Sequence, residues 1–369
     1  MIPVFEPVIG KEEIKAVVDA LKKGEISGSY GKYIPEFEQK FAQYCGCEYG
    51  VAVTSGTTAL QLAVAAAGIK KGDEVLLSSS TNIATALAVV HNGAVPIPVD
   101  SEPITWNMNI DLIESLITSK TKAIIPVHLY GHPVDMGGLM KIAKKYNLVV
   151  IEDCAESHGA TYRGKKTGSF GDMGCFSFYS NKIITTGEGG MVITNNKTFA
   201  QKLHLLKNLA FAKPRFVHQQ IGFNFRMTGF QAAMGLAQLR KIEKIINKKR
   251  KLAKSYSKYL EKIKGIQTPN EATWARNVYW MYAITINREF GINRDTLMKK
   301  LSKDGIETRT FFCPMNQQPC LQTLEGFRKI HCPVADEIWK TGLYLPSSIT
   351  LKEEQIQFIY EKINEATHS

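Results

Sequence analysis

The sequence lacks most of the features that would place it in a specialised class of protein. Its seven cysteines form no CxxC pair and have no histidine cluster at zinc-binding spacing, which favours buried or free thiols in a reducing compartment over a disulfide framework or a metal site. No basic region followed by an apolar core opens the chain, and the apolar run at residues 59–69 is too short to span a bilayer. We therefore expect a cytoplasmic protein that binds neither membrane nor metal.

Low-complexity stretches and internal repeats are also missing from the 369 residues. The shares of hydrophobic (44%) and charged (22%) residues are ordinary for a folded protein. Because the length exceeds what one hydrophobic core usually serves, two domains and a deep active site are expected.

Acidic residues are too few to balance the basic ones: 34 Asp and Glu face 46 Lys and Arg, so the net charge is +12. Such a surplus attracts nucleic acid, an anionic membrane surface or small anionic substrates. The densest basic run, at residues 241–264, has apolar residues at helical spacing and no glycine. We interpret it as the solvated face of a long amphipathic helix, with a nucleic-acid-binding segment as the alternative.

Short β-branched runs alternate with helix-patterned segments from about residue 50. This rhythm predicts an α/β fold with a largely parallel sheet and helices on both faces. The strand-like runs lie at residues 51–53, 74–78, 94–100, 122–131, 147–156, 174–179 and 190–194.

The pattern changes after Phe230 to a long helix, and beyond about residue 270 to a mixed α+β region with a strand-like run at 279–286. We predict three parts. They are an N-terminal segment at residues 1–30 that packs with the small domain, a large cofactor-binding domain at 31–240, and a linker helix with a small C-terminal α+β domain at 241–369.

A first candidate binding element is the segment TSGTTA at residues 54–59, where a strand-like run passes through glycine and hydroxyl residues into a helix. Free backbone N–H groups and the positive end of the helix dipole would form a phosphate cradle there. Ordinary capping of the helix is the alternative.

Asp153 ends an otherwise apolar strand-like run. A buried carboxylate needs a cation or a hydrogen-bond donor as its partner. A protonated pyridine nitrogen would supply one, and the ring could then act as an electron sink. The alternative is a structural aspartate that caps the next helix.

Lys182 lies between two strand-like runs and is followed by the glycine-rich segment at residues 187–190. A desolvated lysine in such a turn can attack an aldehyde near neutral pH, and the glycines allow the backbone to approach a planar cofactor closely. Together with Asp153 and the cradle, it predicts a pyridoxal phosphate site. By contrast, residues 159–166 have the Gly and Lys spacing of a P-loop, but Lys166 replaces the required Ser or Thr, so we predict a surface hairpin.

Longer segments resemble the DegT/DnrJ/EryC1/StrS family of sugar aminotransferases. The resemblance covers essentially the whole chain, and its most specific pieces are EDCAE at residues 152–156 and SFYSNKIITTGEGG at 177–190, with GFNFRMTGFQAAMGLAQL at 222–239. Within the family the likeness is greatest to the GDP-perosamine synthases. The resemblance implies a fold-type-I pyridoxal-phosphate-dependent transferase that forms a homodimer with two active sites at the subunit interface.

The resemblance also implies roles for individual residues. Lys182 is implied to be the Schiff-base lysine, and Asp153 the partner of the pyridine nitrogen. The remaining cofactor contacts are implied for Gly56 and Thr57 through their amides to the phosphate, Ser177 through its hydroxyl, Asn224 from the neighbouring subunit, and Glu156 near the ring hydroxyl.

Two positions depart from the family's pattern. Asn82 stands where relatives usually carry an aromatic residue that stacks on the pyridine ring, and Asn316 replaces a histidine close to the expected sugar nucleotide. Arg226, Arg309 and Arg215 are candidates to hold the glutamate carboxylate or the diphosphate, because guanidinium groups suit both.

The implied reaction has two halves. L-Glutamate gives its amine to the cofactor, and the resulting pyridoxamine phosphate form aminates C4 of a nucleotide-linked 4-keto-6-deoxy sugar. GDP is the expected nucleotide, with a UDP- or dTDP-linked sugar and a viosamine-type product as the alternative. The net charge of +12 would attract a diphosphate sugar without any nucleic-acid partner.

Three further interpretations are less favoured. Sugar dehydratases of the same fold carry histidine in place of the lysine, which Lys182 argues against. A cofactor-binding protein without catalysis and a basic DNA-binding regulator are the others.

Overall fold

Residues 1–214 and 216–367 are described in the computed structural model of this protein, and they form an α/β structure with one large sheet and two smaller ones. The strands are β1 (Tyr49–Val53), β2 (Glu74–Ser78), β3 (Val95–Val99), β4 (Thr121–Ile125), β5 (Val149–Asp153), β6 (Thr161–Tyr162), β7 (Lys165–Lys166), β8 (Met173–Ser177), β9 (Gly190–Thr194), β10 (Ile266–Gln267), β11 (Ala275–Arg276), β12 (Tyr282–Ile286), β13 (Arg309–Thr310) and β14 (Gly342–Leu345). The α-helices are α1 (Lys11–Lys22), α2 (Tyr33–Cys45), α3 (Gly56–Ala66), α4 (Ala84–Val90), α5 (Ile113–Leu116), α6 (Met136–Tyr146), α7 (Lys197–Lys207), α8 (Gly229–Leu239), α9 (Ile242–Leu260), α10 (Arg294–Lys303), α11 (Pro319–Gln322), α12 (Pro333–Thr341) and α13 (Glu353–Glu365).

The large sheet has seven strands in the order β1-β9-β8-β5-β4-β2-β3. The pairs from β3 to β8 are parallel, and β9 is antiparallel to both of its neighbours. The predicted, mostly parallel sheet is therefore confirmed. The loop that joins β8 to β9 contains no helix, and an antiparallel return is what such a connection allows.

Helices cover both faces of this sheet, because successive side chains of each strand point in opposite directions. In β8, Met173 and Cys175 pack in one core with residues of α3, α4 and α7, whereas Phe176 packs in the opposite core with residues of α2 and α8. All the strand positions of β8 are buried, as expected for a sheet enclosed on both sides.

A second core lies in the C-terminal part of the chain, where a four-stranded sheet in the order β10-β12-β14-β13 packs with residues of α9, α10 and α13. The basic run forms α9, with Ile245 and Leu252 buried and Lys244 and Lys248 exposed. The predicted amphipathic helix is thus confirmed. Lys249 differs from the predicted solvated face, because it is only 1% exposed.

The first residues of the chain join this C-terminal region. Ile2 forms a β-bridge with Ile306, and the amide of Ser347 donates to the carbonyl of Val4 at 2.8 Å. The helix α1 packs instead against α8. The N-terminal segment therefore spans from the small sheet to the helices of the large one.

The glycine-rich segment at residues 159–166 is not a phosphate loop. Strands β6 and β7 form a two-residue antiparallel pairing, and Arg163 and Gly164 between them have positive φ angles of 48° and 82°. The predicted surface hairpin is confirmed.

The thiols of all seven cysteines are free in the structure. Among residues 1–214 and 216–367, none of the helices combines the length and the apolar character that crossing a bilayer requires.

Candidate active site

A cavity of about 440 Å³ opens beside the carboxyl ends of strands in the large sheet, which is where ligands bind in open α/β sheets. From the large sheet and its loops it is lined by Ser55, Gly56, Thr57, Asp153, Glu156, Ser177 and Lys182. From the C-terminal region it is lined by Trp280, Arg309, Phe312 and Tyr344. The structure therefore brings together most of the residues that the sequence singled out.

The phosphate cradle predicted at residues 54–59 is the start of α3. Ser55 caps this helix by accepting a hydrogen bond from the amide of Thr58 at 3.1 Å, and the Thr58 hydroxyl accepts from the Ser55 amide at 3.0 Å. The amides of Gly56 and Thr57 lie in the first turn, where no intrahelical acceptor exists. Capping and anion binding use different groups, so the capping is confirmed and the phosphate cradle stays a prediction.

Gly56 is required at this position by close packing. A Cβ atom added to Gly56 would lie 2.6 Å from the Cβ of Ser177, a distance that no side chain tolerates. The contact brings the Ser177 hydroxyl against the first turn of α3. Three groups able to bind a phosphate therefore converge.

Asp153 ends β5 and is 5% exposed. Its carboxylate accepts hydrogen bonds from the Thr85 hydroxyl at 2.8 Å and from the Ala155 amide at 3.1 Å. Burial raises the pKa of Asp153, while these two donors and the nearby amine of Lys182 act in the opposite direction. No α-helix begins between residues 154 and 196, so the alternative role of a helix cap is wrong.

Glu156 lies three residues further on and is also buried. It accepts a hydrogen bond from the amide of Tyr130 at 2.8 Å. Burial raises the pKa of Glu156 to about 7, against the effect of Lys182. Tyr130 has a φ of 51°, which is uncommon for a non-glycine residue and stores strain near a functional site.

Lys182 follows β8 in the loop that leads to β9. Burial lowers the pKa of its amine, and the carboxylates of Glu156 and Asp153 act in the opposite direction. Its Nζ atom lies 3.9 Å from the centroid of the Trp280 ring. A lysine with a lowered pKa has a larger fraction of neutral, nucleophilic amine near neutral pH.

Sequence reasoning missed Trp280, Phe312, Tyr344 and Thr85. The run YWMYAITI was recognised only as a strand, and β12 begins at Tyr282, so Trp280 precedes it. Neither spacing nor composition indicates that this indole faces a lysine almost one hundred positions earlier in the chain.

Asn82 lines the cavity and supplies no aromatic surface. Its side-chain oxygen accepts a hydrogen bond from the Ala84 amide at 3.0 Å, at the start of α4. The aromatic rings that line the cavity come from Tyr179, Trp280, Phe312 and Tyr344 instead.

The candidates for substrate binding separate into two groups. Arg309 lines the cavity, with its side chain 59% exposed and one hydrogen bond to Glu307 at 3.1 Å. Arg226 and Asn316 do not line it. The Arg226 guanidinium donates to Asn208 at 2.8 Å, and the Asn316 side chain is fixed between Ser79 at 2.9 Å and Asp336 at 3.1 Å.

The remaining two candidates lie elsewhere. Asn224 pairs with Asn208 in a β-bridge and does not line the cavity of its own chain. Arg215 lies outside the described residues.

The side chains of His128, Glu152 and Cys154 form a buried group in which the potential metal ligands lie within 4.8 Å of one another. Glu152 already accepts hydrogen bonds from the amides of Gly168, Phe170 and Gly171 at 2.7 Å each. His128 Nδ1 accepts from the Val134 amide at 3.0 Å, which leaves its Nε2–H to donate to Glu152 at 3.0 Å. This pairing accounts for the group without a cation.

The residues around the cavity fit pyridoxal phosphate. The first turn of α3 and Ser177 offer donors for its phosphate, Asp153 offers a buried acceptor for its ring nitrogen, and Lys182 offers an amine for its aldehyde. The cavity therefore offers a partner for the phosphate, the ring nitrogen and the aldehyde of that molecule.

Comparison with known proteins gives the same result. A sequence model of the DegT/DnrJ/EryC1/StrS aminotransferase family matches residues 7–364. A protein of Escherichia coli O157:H7 named GDP-perosamine synthase is 43% identical over 365 residues, which cover 99% of this chain and 98% of that protein.

Solved structures match over the same extent. The S. venezuelae protein DesV, solved in complex with a ketimine intermediate, is 33% identical with a TM-score of 0.90, over 97% of this chain and 95% of that chain. The candidate sugar aminotransferase Spr1654 of Streptococcus pneumoniae, solved in a PMP form and a PLP form, is 26% identical with a TM-score of 0.92. The match covers 100% of this chain and 99% and 98% of those two chains.

The raised pKa of Glu156 predicts a pH dependence of stability in the cofactor-free protein. The folded state binds the proton of Glu156 up to a pKa of about 7, against an ordinary value of 4.5. The folded state therefore holds more protons than the unfolded state between these values, and stability falls as pH rises through this range. Glu156→Gln should remove this fall, on the order of 3 kcal/mol, in urea unfolding measured across the range. An identical pH dependence in both proteins would contradict the raised pKa.

Proposed function

Because this chain belongs to the DegT/DnrJ/EryC1/StrS aminotransferase family and is a pyridoxal-phosphate-dependent sugar aminotransferase, we propose that it moves the amino group of L-glutamate to C4 of a nucleotide-linked 4-keto-6-deoxy sugar. The observation that carries the proposal is the meeting of the Lys182 amine, the Asp153 carboxylate and the first turn of α3 at one cavity. The 43% identity to a protein named GDP-perosamine synthase supports a GDP-linked sugar as the substrate.

The cofactor supplies an aldehyde that accepts amines and a ring that withdraws electrons. Lys182 would hold the cofactor through its amine as the Schiff-base lysine, and its free amine would move the proton at the substrate carbon as general base and acid. Its lowered pKa makes the neutral amine available for this task. Lys182 therefore acts both as an anchor and as a proton carrier.

The other cavity residues orient the cofactor. Asp153 would accept a hydrogen bond from the protonated ring nitrogen, and its carboxylate is held by the Thr85 hydroxyl and the Ala155 amide. Gly56 and Thr57 would donate to the phosphate through their amides, and Ser177 through its hydroxyl. Glu156 would face the ring hydroxyl, and its pKa of about 7 would allow it to accept or donate a proton there.

Arg309 is the arginine best placed to hold an anionic group of either substrate. Its largely exposed side chain lines the cavity. A guanidinium can bind a carboxylate or a diphosphate through two parallel hydrogen bonds. Arg226 is already engaged by Asn208. We therefore assign the glutamate carboxylate or the diphosphate to Arg309.

We propose that two copies of the chain form a homodimer with shared active sites. Asn224 lies outside the cavity of its own chain, and the segment before it exposes Val217 (52%) and Ile221 (92%). The helix α1 exposes Ile14 and Leu21 at 58% and 52%. Apolar side chains exposed together are typical of a protein interface, and such an interface would carry Asn224 to the partner's phosphate cradle.

Replacement of Lys182 tests its role directly. Lys182→Ala removes the only amine among the cavity-lining residues, so the purified variant should lack the absorbance of a covalently linked cofactor and should transfer no amine to the sugar. The control is Lys202→Ala, because Lys202 lies on α7 and bonds the Ala66 carbonyl at 2.7 Å; it should behave as the unmodified protein. Full transfer by Lys182→Ala would sink the assignment.

Mixed dimers test the shared active site. Lys182→Ala and Asn224→Ala should each be inactive or strongly impaired alone. In a mixed dimer, the subunit that keeps Lys182 receives an intact Asn224 from the other subunit, so this site should be active. The second site lacks both residues and should stay inactive, so half of the sites in mixed dimers should be restored. Denaturation and joint refolding, followed by an amination assay, measures this. Activity that never exceeds the sum of the separate variants would show that Asn224 does not act across an interface.

A substrate panel tests the sugar. With L-glutamate as the amine donor, the protein should aminate the GDP-linked 4-keto-6-deoxy sugar with a kcat/KM at least about tenfold above its values for UDP- and dTDP-linked analogues, a ratio equal to about 1.4 kcal/mol of differential transition-state binding. Product mass and 2-oxoglutarate release are the measurements. Preference for a UDP- or dTDP-linked sugar would replace GDP in the proposal. Loss of a sugar hydroxyl without gain of an amine would indicate a dehydratase.

A further inference from the structure

The indole of Trp280 covers the amine of Lys182. The Nζ atom lies 3.9 Å from the ring centroid, and Trp280 itself is only 3% exposed. The face of an indole is the most negative of the aromatic side chains, and it attracts a cation placed over it. The attraction is larger where the groups are shielded from water, and the indole here is buried.

Three hydrogen bonds fix the position of Trp280. Its Nε1–H donates to the carbonyl of Asn181 at 2.7 Å, and its amide donates to the carbonyl of Tyr130 at 2.9 Å. Its own carbonyl accepts from the buried amine of Lys249 at 2.8 Å. Because Asn181 directly precedes Lys182, the ring is tied to the same short segment whose amine it covers.

Two further aromatic rings stack next to the indole. Tyr130 is nearly parallel to Trp280, with an angle of 14° and 6.2 Å between centroids, and Phe312 is parallel to Tyr130 at 10° and 5.8 Å. The three rings therefore pack as a stack that restricts the orientation of the indole. The contact with Lys182 is therefore built into the fold.

Several titratable groups surround Lys182 in addition to the Trp280 indole. Asp153, Glu156 and His158 act on it from the large sheet and its loops. Glu188 and Arg309 also line the cavity, and the Lys249 amine bonds to the Trp280 carbonyl. Burial lowers the pKa of His158 to about 3 and raises the pKa of Tyr130 and Tyr344, so these three side chains are neutral near pH 7. Glu156, with a pKa of about 7, carries only part of a negative charge there. The indole face is a source of negative potential that does not titrate.

We propose that Trp280 is a further catalytic residue, whose indole face stabilises the positively charged form of the Lys182 nitrogen when that nitrogen is linked to the cofactor. A protonated nitrogen withdraws electrons from the carbon to which it is bonded, and so makes that carbon easier for the amino donor to attack. The inference rests on the proposed role of Lys182 as the Schiff-base lysine. Asn82 supplies no aromatic ring at the start of α4. The ring of Trp280 instead contacts the nitrogen of Lys182.

Fluorinated tryptophans test this inference, because fluorine weakens the negative face of the indole and changes its shape little. The chain has four tryptophans, so the holoenzyme can be produced with tryptophans of increasing fluorine content. The measurement is the pH midpoint at which the absorbance of the linked cofactor changes. The midpoint should fall stepwise with fluorine content, by about 0.4 to 1 pH unit over the series.

Two backgrounds provide the controls. In Trp280→Phe the midpoint should no longer depend on fluorine content, because the remaining tryptophans do not line the cavity. In Trp274→Phe the full dependence should remain, since Trp274 packs against Tyr162 and His132. A midpoint that stays constant in the otherwise unmodified protein, or that shifts equally in the Trp280→Phe background, would overturn the proposal. Absence of any linked-cofactor absorbance in the protein with ordinary tryptophan would instead refute the role of Lys182.

Discussion

Lys182, Asp153 and Glu156 share one buried space, and the properties of the site depend on their mutual compensation. Burial opposes the charge of each of them, while the attraction between the amine and the two carboxylates favours it. Since one amine cannot balance the charges of two carboxylates, Glu156 retains its proton up to a pKa of about 7. A bound cofactor ring with its own positive nitrogen would complete this balance, which explains why a site of this kind suits a cationic heterocycle.

The active-site cavity is formed where strands of the large sheet end next to one another. Asp153 pairs with Cys175 in the parallel ladder of β5 and β8, so β5 ends two residues before β8 ends at Ser177. The reversal of β9 then returns the chain past the first turn of α3, and the loop between β8 and β9 carries Lys182. The strained backbone of Tyr130 contributes on the other side, where its amide binds Glu156 and its ring supports Trp280.

Much of this arrangement could be predicted from the sequence. The apolar runs indicate the strands of the large sheet because strands buried on both faces are apolar at nearly every position, and Asp153 is conspicuous as the acid at the end of such a run. Lys182 is distinguishable from the other lysines by its glycine-rich neighbourhood and by the family resemblance. These signals are local, so they survive without a structure.

Other features depend on contacts between distant segments and leave no local signal. Trp280 is an ordinary aromatic residue in a strand-like run until its ring is seen above Lys182. Arg226 is as basic as Arg309, and only the hydrogen bond to Asn208 distinguishes them.

Lys249 belongs to a lysine-rich helix, yet it is buried and donates to the carbonyls of Trp280 and Ser347 at 2.8 and 2.5 Å. This amine has a structural consequence: the amide of Ser347 bonds in turn to the carbonyl of Val4, so the first residues of the chain, the small sheet and the indole above Lys182 form one continuous support. Substitutions at residues 2–4, which do not line the cavity, would thus act on the active site through this support.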